Sequence, residues 1–189
     1  MVVPGAADGV QHFGQARLRT IRSPRFPLDR SYFYFASDAV IHRALDEERP
    51  DFIECSSPWG SSTAVADWPG AVPRVLIMHA DPLSAWAYRY LDPFLSRRAI
   101  DRSFEWYWRH LRRCDERYDM IVVAAPTLEH RMVAGGLTRI RCNPMGVEPG
   151  AFSPRFRDEA LRAELLGRCN LPATATLLIG TQRFIAEAR

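Results

Sequence analysis

Residues 119–154, DMIVVAAPTLEHRMVAGGLTRIRCNPMGVEPGAFSP, constrain the fold more than any other stretch. The apolar run Ile121, Val122, Val123 follows an acidic start. A small-residue turn (Ala124, Ala125, Pro126) leads to Thr127, whose hydroxyl suits a helix N-cap. A helix is expected over 128–134, stopped by Gly135 and Gly136. A second short strand is expected over 139–142. Strand, capped helix, glycine stop, strand is the grammar of a parallel α/β sheet. Residues 143–154 hold Pro144, Gly146, Pro149, Gly150 and Pro154, too many turn formers for helix or sheet. They read as a linker leaving one domain for another.

The rest of the chain fits the same grammar. Residues 1–5 read as the tail of a buried strand, and so abrupt a start predicts an element upstream. Residues 10–21 alternate weakly and predict one or two strands. Ser37 or Asp38 caps a helix through Glu48, with Val40, Ile41, Ala44 and Leu45 on one face. Arg49 and Pro50 end it. DFIEC (51–55) is a short buried strand, followed by a polar turn over 56–60 and a helix start over 61–66. RVLIM (74–78) is the clearest buried strand and runs into His79, Ala80, Asp81 and Pro82. Ligands collect at the carboxyl ends of parallel strands. His79, Asp81 and the turn between Glu54 and Trp59 all fall at such ends. Residues 97–118 predict one long amphipathic helix with Ile100, Phe104, Tyr107, Leu111, Cys114 and Tyr118 on its apolar stripe. A last helix over 155–169 turns Leu161, Leu165 and Leu166 inward, and a strand begins over 176–179.

Composition excludes several classes. The 189 residues allow one sizeable domain, or one domain and part of another. A formal charge of +3 is too mild to demand nucleic acid, though it suits an anionic ligand. Cys55, Cys114, Cys142 and Cys169 show no C-x-x-C spacing, which argues against a zinc site. Scattered cysteines of this kind suggest buried, inert, reduced thiols in a cytoplasmic protein. No apolar run nears the ~20 residues that span a membrane. The first residues lack the basic start and apolar core of a signal peptide. No G-x-G-x-x-G follows any strand, which argues against a dinucleotide enzyme.

The pattern resembles the N-terminal half of a glycosyltransferase with two Rossmann-like domains. The similar group is the retaining, family-4-like one that includes bacterial α-mannosyltransferases. The resemblance rests on RPDFIECSSPW (49–59), HADP (79–82), CDERYDMIVVAAP (114–126), NPMGVEPGAFSP (143–154) and the leucine helix ending at Leu171 and Pro172, in family order. It implies an α/β fold. Residues 1–154 would be the acceptor-side domain without its first strand, glycine-rich loop and helix. Residues 155–189 would be a linker helix and the first strand of a donor-binding domain. It further implies transfer of a hexose from a nucleotide-sugar to the hydroxyl of a glycan, lipid or small molecule, with retention and without a metal or other cofactor. Members usually carry Gly-Arg and a Lys five residues later after the second domain's first strand. Here Arg183 matches as a donor-diphosphate ligand, Gln182 replaces the glycine and Ala188 the lysine. Those departures leave open a non-catalytic remnant or an acceptor-side module.

Each candidate residue has a bland alternative. His79 reads as a contact to the donor sugar or acceptor hydroxyl, or as a strand-end histidine bonded to backbone. Asp81 can orient His79, bond a sugar hydroxyl, or simply start an Asp-Pro turn. Glu54 offers a carboxylate to sugar hydroxyls. The indole of Trp59 suits a sugar's C–H face, but a Trp beside Pro and Gly is more often packing. The arginines of 97–117, with Trp106 and Trp108 interleaved, fit a peripheral face for a lipid-phosphate acceptor at the inner membrane surface, or an ordinary solvated helix face.

Overall fold

The computed structural model describes residues 1–27, 30–81, 83 and 87–178, with the side chain of Arg89 excepted. The chain divides into two compact units, Met1–Pro144 and Met145–Arg189.

The first unit opens with β1 (Val2–Gly5), β2 (Gly9–Phe13) and β3 (Ala16–Arg22). β2 and β3 form an antiparallel hairpin turning at Gly14, whose φ of 60° suits a residue without a Cβ. β1 lies parallel to the other side of β3 and is only half-buried along most of its length. Arg19 of β3 pairs with Glu47 and Glu48 of α1 (Asp38–Glu48), the latter at 3.1 Å, and Arg17 also pairs with Glu48. Helix α1 ends at Arg49, whose left-handed φ of 45° turns the chain into Pro50.

From there the chain builds a second sheet. β4 (Ile53–Cys55), β5 (Arg74–Met78), β6 (Met120–Val123) and β7 (Ile140–Cys142) are all parallel and lie in sequence order. The crossovers carry α2 (Gly60–Asp67), then α3 (Tyr88–Leu91), α4 (Arg97–Ser103) and α5 (Glu105–Arg117), then α6 (Pro126–Ala134). Alternate residues point to opposite faces of a strand. One face presents Ile53, Cys55, Leu76, Met78, Ile121, Val123 and Ile140. These bury in a single cluster with Ile41, Ala64, Val65, Tyr107, Leu111 and Met132 from the helices. The other face presents Val75, Ile77 and Val122, half-buried, with Glu54 and Met120 exposed.

Two side chains close the lower end of this sheet. Arg74 is a charged residue on the buried face. Its guanidinium donates to the carbonyls of Val65, Ala66 and Trp68 at 2.8, 3.2 and 3.1 Å, and to that of Gly70. It thereby satisfies the C-terminal carbonyls of α2 and opposes that helix's negative end. Asp115 accepts from the Thr138 and Arg139 amides and the Thr138 hydroxyl at 2.8–2.9 Å, fixing the approach to β7.

Two local expectations of the first unit need correction. The long helix is two helices meeting at Phe104, where the Ser103 hydroxyl donates back to the Ile100 carbonyl at 2.8 Å, a contact that bends helices. The apolar stripe survives the bend, with Ile100, Tyr107, Leu111, Cys114 and Tyr118 all buried. Helix α6 begins at Pro126, with Ala125 as its N-cap, so Thr127 sits inside the first turn. Proline is preorganised for that first position and its missing N–H is no loss there. Gly135 and Gly136 do end α6. Gly136 has φ +92°, and a Cβ on Gly135 would lie 2.1 Å from the Trp108 ring.

The second unit contains a 3-10 turn (Pro154–Phe156) and α7 (Glu159–Arg168). Asp158 caps α7 by accepting from the Leu161 amide at 2.9 Å. Leu166 is buried and Leu165 half-buried, but Leu161 is half exposed, against the expectation that it turns inward. Residues 176–178 are not strand, and Ile179 and Arg183 lie outside the described residues.

Candidate functional site

The exits of β4 and β5 lie side by side at the carboxyl edge of the parallel sheet, since these strands pair directly. Glu54 falls within β4 rather than in the turn after it, and its side chain is exposed on the less-covered sheet face. The β4 exit itself is locked by five contacts. The Cys55 thiol meets the Ser57 carbonyl at 3.7 Å. His110 Nε2 donates to the Pro58 carbonyl at 2.8 Å, which leaves Nδ1 to accept from the Thr63 hydroxyl at 3.2 Å. Ser62 Oγ donates to the Trp59 carbonyl at 2.6 Å. The Trp59 ring lies 5.4 Å from that of Tyr107, while the residue stays 49% exposed. Trp59 is thus packed on one side and open on the other.

The β5 exit separates two neighbours with different fates. His79 is exposed. Asp81 is only 7% exposed and accepts from the Leu83 amide at 2.9 Å. Its carboxylate also pairs with Arg131 of α6. Arg131 reaches further, to the Tyr88 hydroxyl and to Asp101 Oδ1 at 2.9 Å, and the Tyr88 hydroxyl donates to the same Asp101 oxygen at 2.6 Å. Burial would raise the Asp101 carboxyl, but bonds from Tyr88 and Arg131 outweigh it and hold the group below its ordinary value. Burial, then the bond to Asp101, pushes the Tyr88 hydroxyl up to about 12.

Tyr107 connects the two exits. Its ring carries Trp59, and its hydroxyl is held protonated well above the ordinary range by burial first and the Asp81 charge second. That hydroxyl has no hydrogen-bond partner among the described residues. The structure therefore gathers Trp59, His79 and Asp81 at adjoining strand ends and places Glu54 on a sheet face. Arg183 lies outside the described residues.

The arginine-rich helical segment is less free than its sequence suggests. Arg112 pairs with Glu105 and donates to the Gly135 carbonyl at 2.9 Å. Arg113 and Arg117 reach Asp67 at 2.6 and 3.7 Å. Trp106 is half exposed, but Trp108 is 5% exposed and belongs to the core, a correction to the reading of two interfacial indoles. A groove of about 380 Å³ runs between these helices and α6, bordered by Asp101, Arg102, Glu105, Arg112 and Arg131. Burial pushes the Cys55 and Cys114 thiols up, as inert thiols require. Cys169, by contrast, is exposed. Among the described residues no three His, Cys, Asp or Glu side chains cluster as metal ligands, and no helix is long and apolar enough to cross a membrane.

Sequence reasoning missed Arg131, Tyr88 and Asp101. Arg131 lies 50 residues from Asp81, and no local motif marks the pair.

A parallel sheet in strand order, joined by helical crossovers and gathering polar groups at its carboxyl edge, is a Rossmann-like α/β fold. Residues 2–150 match the family model described as Glycosyltransferase Family 4, and the chain belongs to that family. No curated protein and no solved structure gives a match.

Proposed function

We propose that residues 1–154 form the acceptor side of a glycosyltransferase that moves a hexose from a nucleotide-sugar to an acceptor hydroxyl with retention of configuration. Residues 155–189 would begin the donor side, with Arg183 as a diphosphate ligand. The observation that carries the reading is the exposed imidazole of His79 at the carboxyl end of β5, in a chain matching Glycosyltransferase Family 4 over residues 2–150. His79 contacts the donor sugar or the acceptor hydroxyl. The open face of Trp59 supplies a stacking surface for a pyranose ring. Glu54 accepts from sugar hydroxyls further along β4. Asp81, buried and paired with Arg131, serves by orienting the turn that presents His79. Departure of the diphosphate is assisted by basic groups instead of a metal.

Calorimetry of the chain with UDP-glucose and GDP-mannose, and transfer from either donor, test this. Donor binding with turnover that drops at least about 100-fold in His79→Ala supports the assignment, the range expected of a group acting on the reacting atoms. Near-normal turnover in that variant removes His79 from the site. Absence of any donor binding favours the non-catalytic module to which Gln182 and Ala188 point.

A further inference from the structure

We infer that Arg131 is a positioning residue for the β5 exit, a side chain that clamps the turn following His79 to the helical layer. The inference rests on the reading of His79 as a site residue, and it assigns a role to a residue that no motif marks.

The geometry is specific. Arg131 projects from α6, after the next strand in the chain, yet its guanidinium bonds groups from three separate places. Asp81 belongs to the β5 exit, Tyr88 to α3 and Asp101 to α4. The guanidinium also lies 4.9 Å from the Tyr88 ring centroid and 5.1 Å from that of Trp108 on α5. Arg97 stands 5.2 Å from the Tyr88 ring as a second cation. Four hydrogen-bonding and stacking partners on four elements thus meet at one planar cation.

The chemistry explains why an arginine is needed. A guanidinium offers donors at fixed angles in one plane and can stack its faces on aromatic rings while bonding through its edges. A lysine's ammonium could donate to both carboxylates, but it has no planar face to lay against the Tyr88 and Trp108 rings while doing so. The clamp also solves an electrostatic problem. Asp81 is buried, and a buried carboxylate without a counter-charge is costly. With Arg131 present, Asp81 stays available to accept from the Leu83 amide, which closes the turn that begins at Asp81, two residues after His79. On this reading Arg131 does not contact the substrate. It acts through Asp81.

The deciding experiment reads that turn directly. Amide hydrogen exchange is followed by NMR at Leu83 in the full chain and in Arg131→Met, Arg131→Lys and His79→Ala. The amides of α1 serve as an internal reference far from the clamp. Expected is a loss of protection at Leu83 on the order of 10-fold in Arg131→Met, an intermediate loss in Arg131→Lys, and none in α1 or in His79→Ala. Unchanged Leu83 exchange in Arg131→Met overturns the inference, and so does an equal loss in α1, which would mark a purely global effect. Should Arg131→Met not fold, Arg131→Lys and Tyr88→Phe decide by the same criterion.

A double-mutant cycle on turnover of UDP-glucose or GDP-mannose then tests whether the clamp acts through His79. Arg131→Lys should lower kcat about 10-fold with donor KM within about twofold, and add little in the His79→Ala background. Fully additive losses would sever Arg131 from His79. If His79→Ala retains turnover while Leu83 exchange still responds to Arg131, the site reading fails and the clamp stands.

Discussion

The two faces of the parallel sheet are made by the same strands and meet different surroundings. Leu76, Met78, Ile121 and Val123 are fully buried, while Val75, Ile77 and Val122, one residue away in each case, are half-buried. All seven are apolar, so hydrophobicity did not choose the face. The difference lies in what stands opposite. The first face meets Tyr107, Leu111 and Met132 from the helices in one packed cluster. Parallel strands usually read as continuous apolar runs because both faces are covered. RVLIM is such a run, and its pattern alone cannot say which residues carry the core. The lesson is that the buried face holds the fold, and the proposed site residues sit at or near the strand ends that this face keeps in register.

Mutations can break that comparison. Leu76→Ala should cost about 3–5 kcal/mol in urea unfolding, because the cavity lies inside a close-packed cluster. Ile77→Ala, on the other face, should cost about half as much. Equal costs would mean that the second face is as well covered in solution as the first. Arg74→Met comes next, at about 1–3 kcal/mol. It strands the α2 carbonyls that the guanidinium now satisfies, and a neutral result would show that water reaches them. Glu54→Gln should change stability by less than about 0.5 kcal/mol, since an exposed side chain on the open face loses no packing. The same variant should lose acceptor affinity measurably, and unchanged affinity would remove Glu54 from the proposed site.

A pH titration sharpens the picture at the clamp. The Tyr88 hydroxyl titrates near 12 in the fold against an ordinary value of 10.0. The unfolded chain therefore loses its proton first, and stability should fall as pH rises from about 10 toward 12. Asp101 has the opposite sign. Its lowered value in the fold gives stability at neutral pH that disappears as pH drops below the ordinary 3.8. Tyr88→Phe should flatten the alkaline limb in a thermal-unfolding series. An unaltered limb would place the titrating group elsewhere.

Much of the secondary structure was legible because local rules act over a few residues. The bounds of β5 follow from RVLIM alone. The end of α1 follows from Arg49 before Pro50, and the end of α6 from its two glycines. Trp108 was readable too, lying four residues after Phe104 and three before Leu111 on the buried side of the helix, although its neighbour Trp106 drew attention to the surface instead. The site was less legible. His79 and Trp59 stood out as chemically suited residues at strand ends. Nothing local separated the exposed His79 from the buried Asp81 two residues later.

The sequence by itself determined most of the elements, their order and the glycosyltransferase kinship, because periodicity, caps and family motifs are written in consecutive residues. Only the tertiary structure decided which sheet face is core and that Glu54 stands exposed on the other face. It also decided that a guanidinium 50 residues from Asp81 neutralises that carboxylate. These depend on which surfaces meet once the crossovers close. Charge pairing and burial act across space, and spacing along the chain carries no record of them.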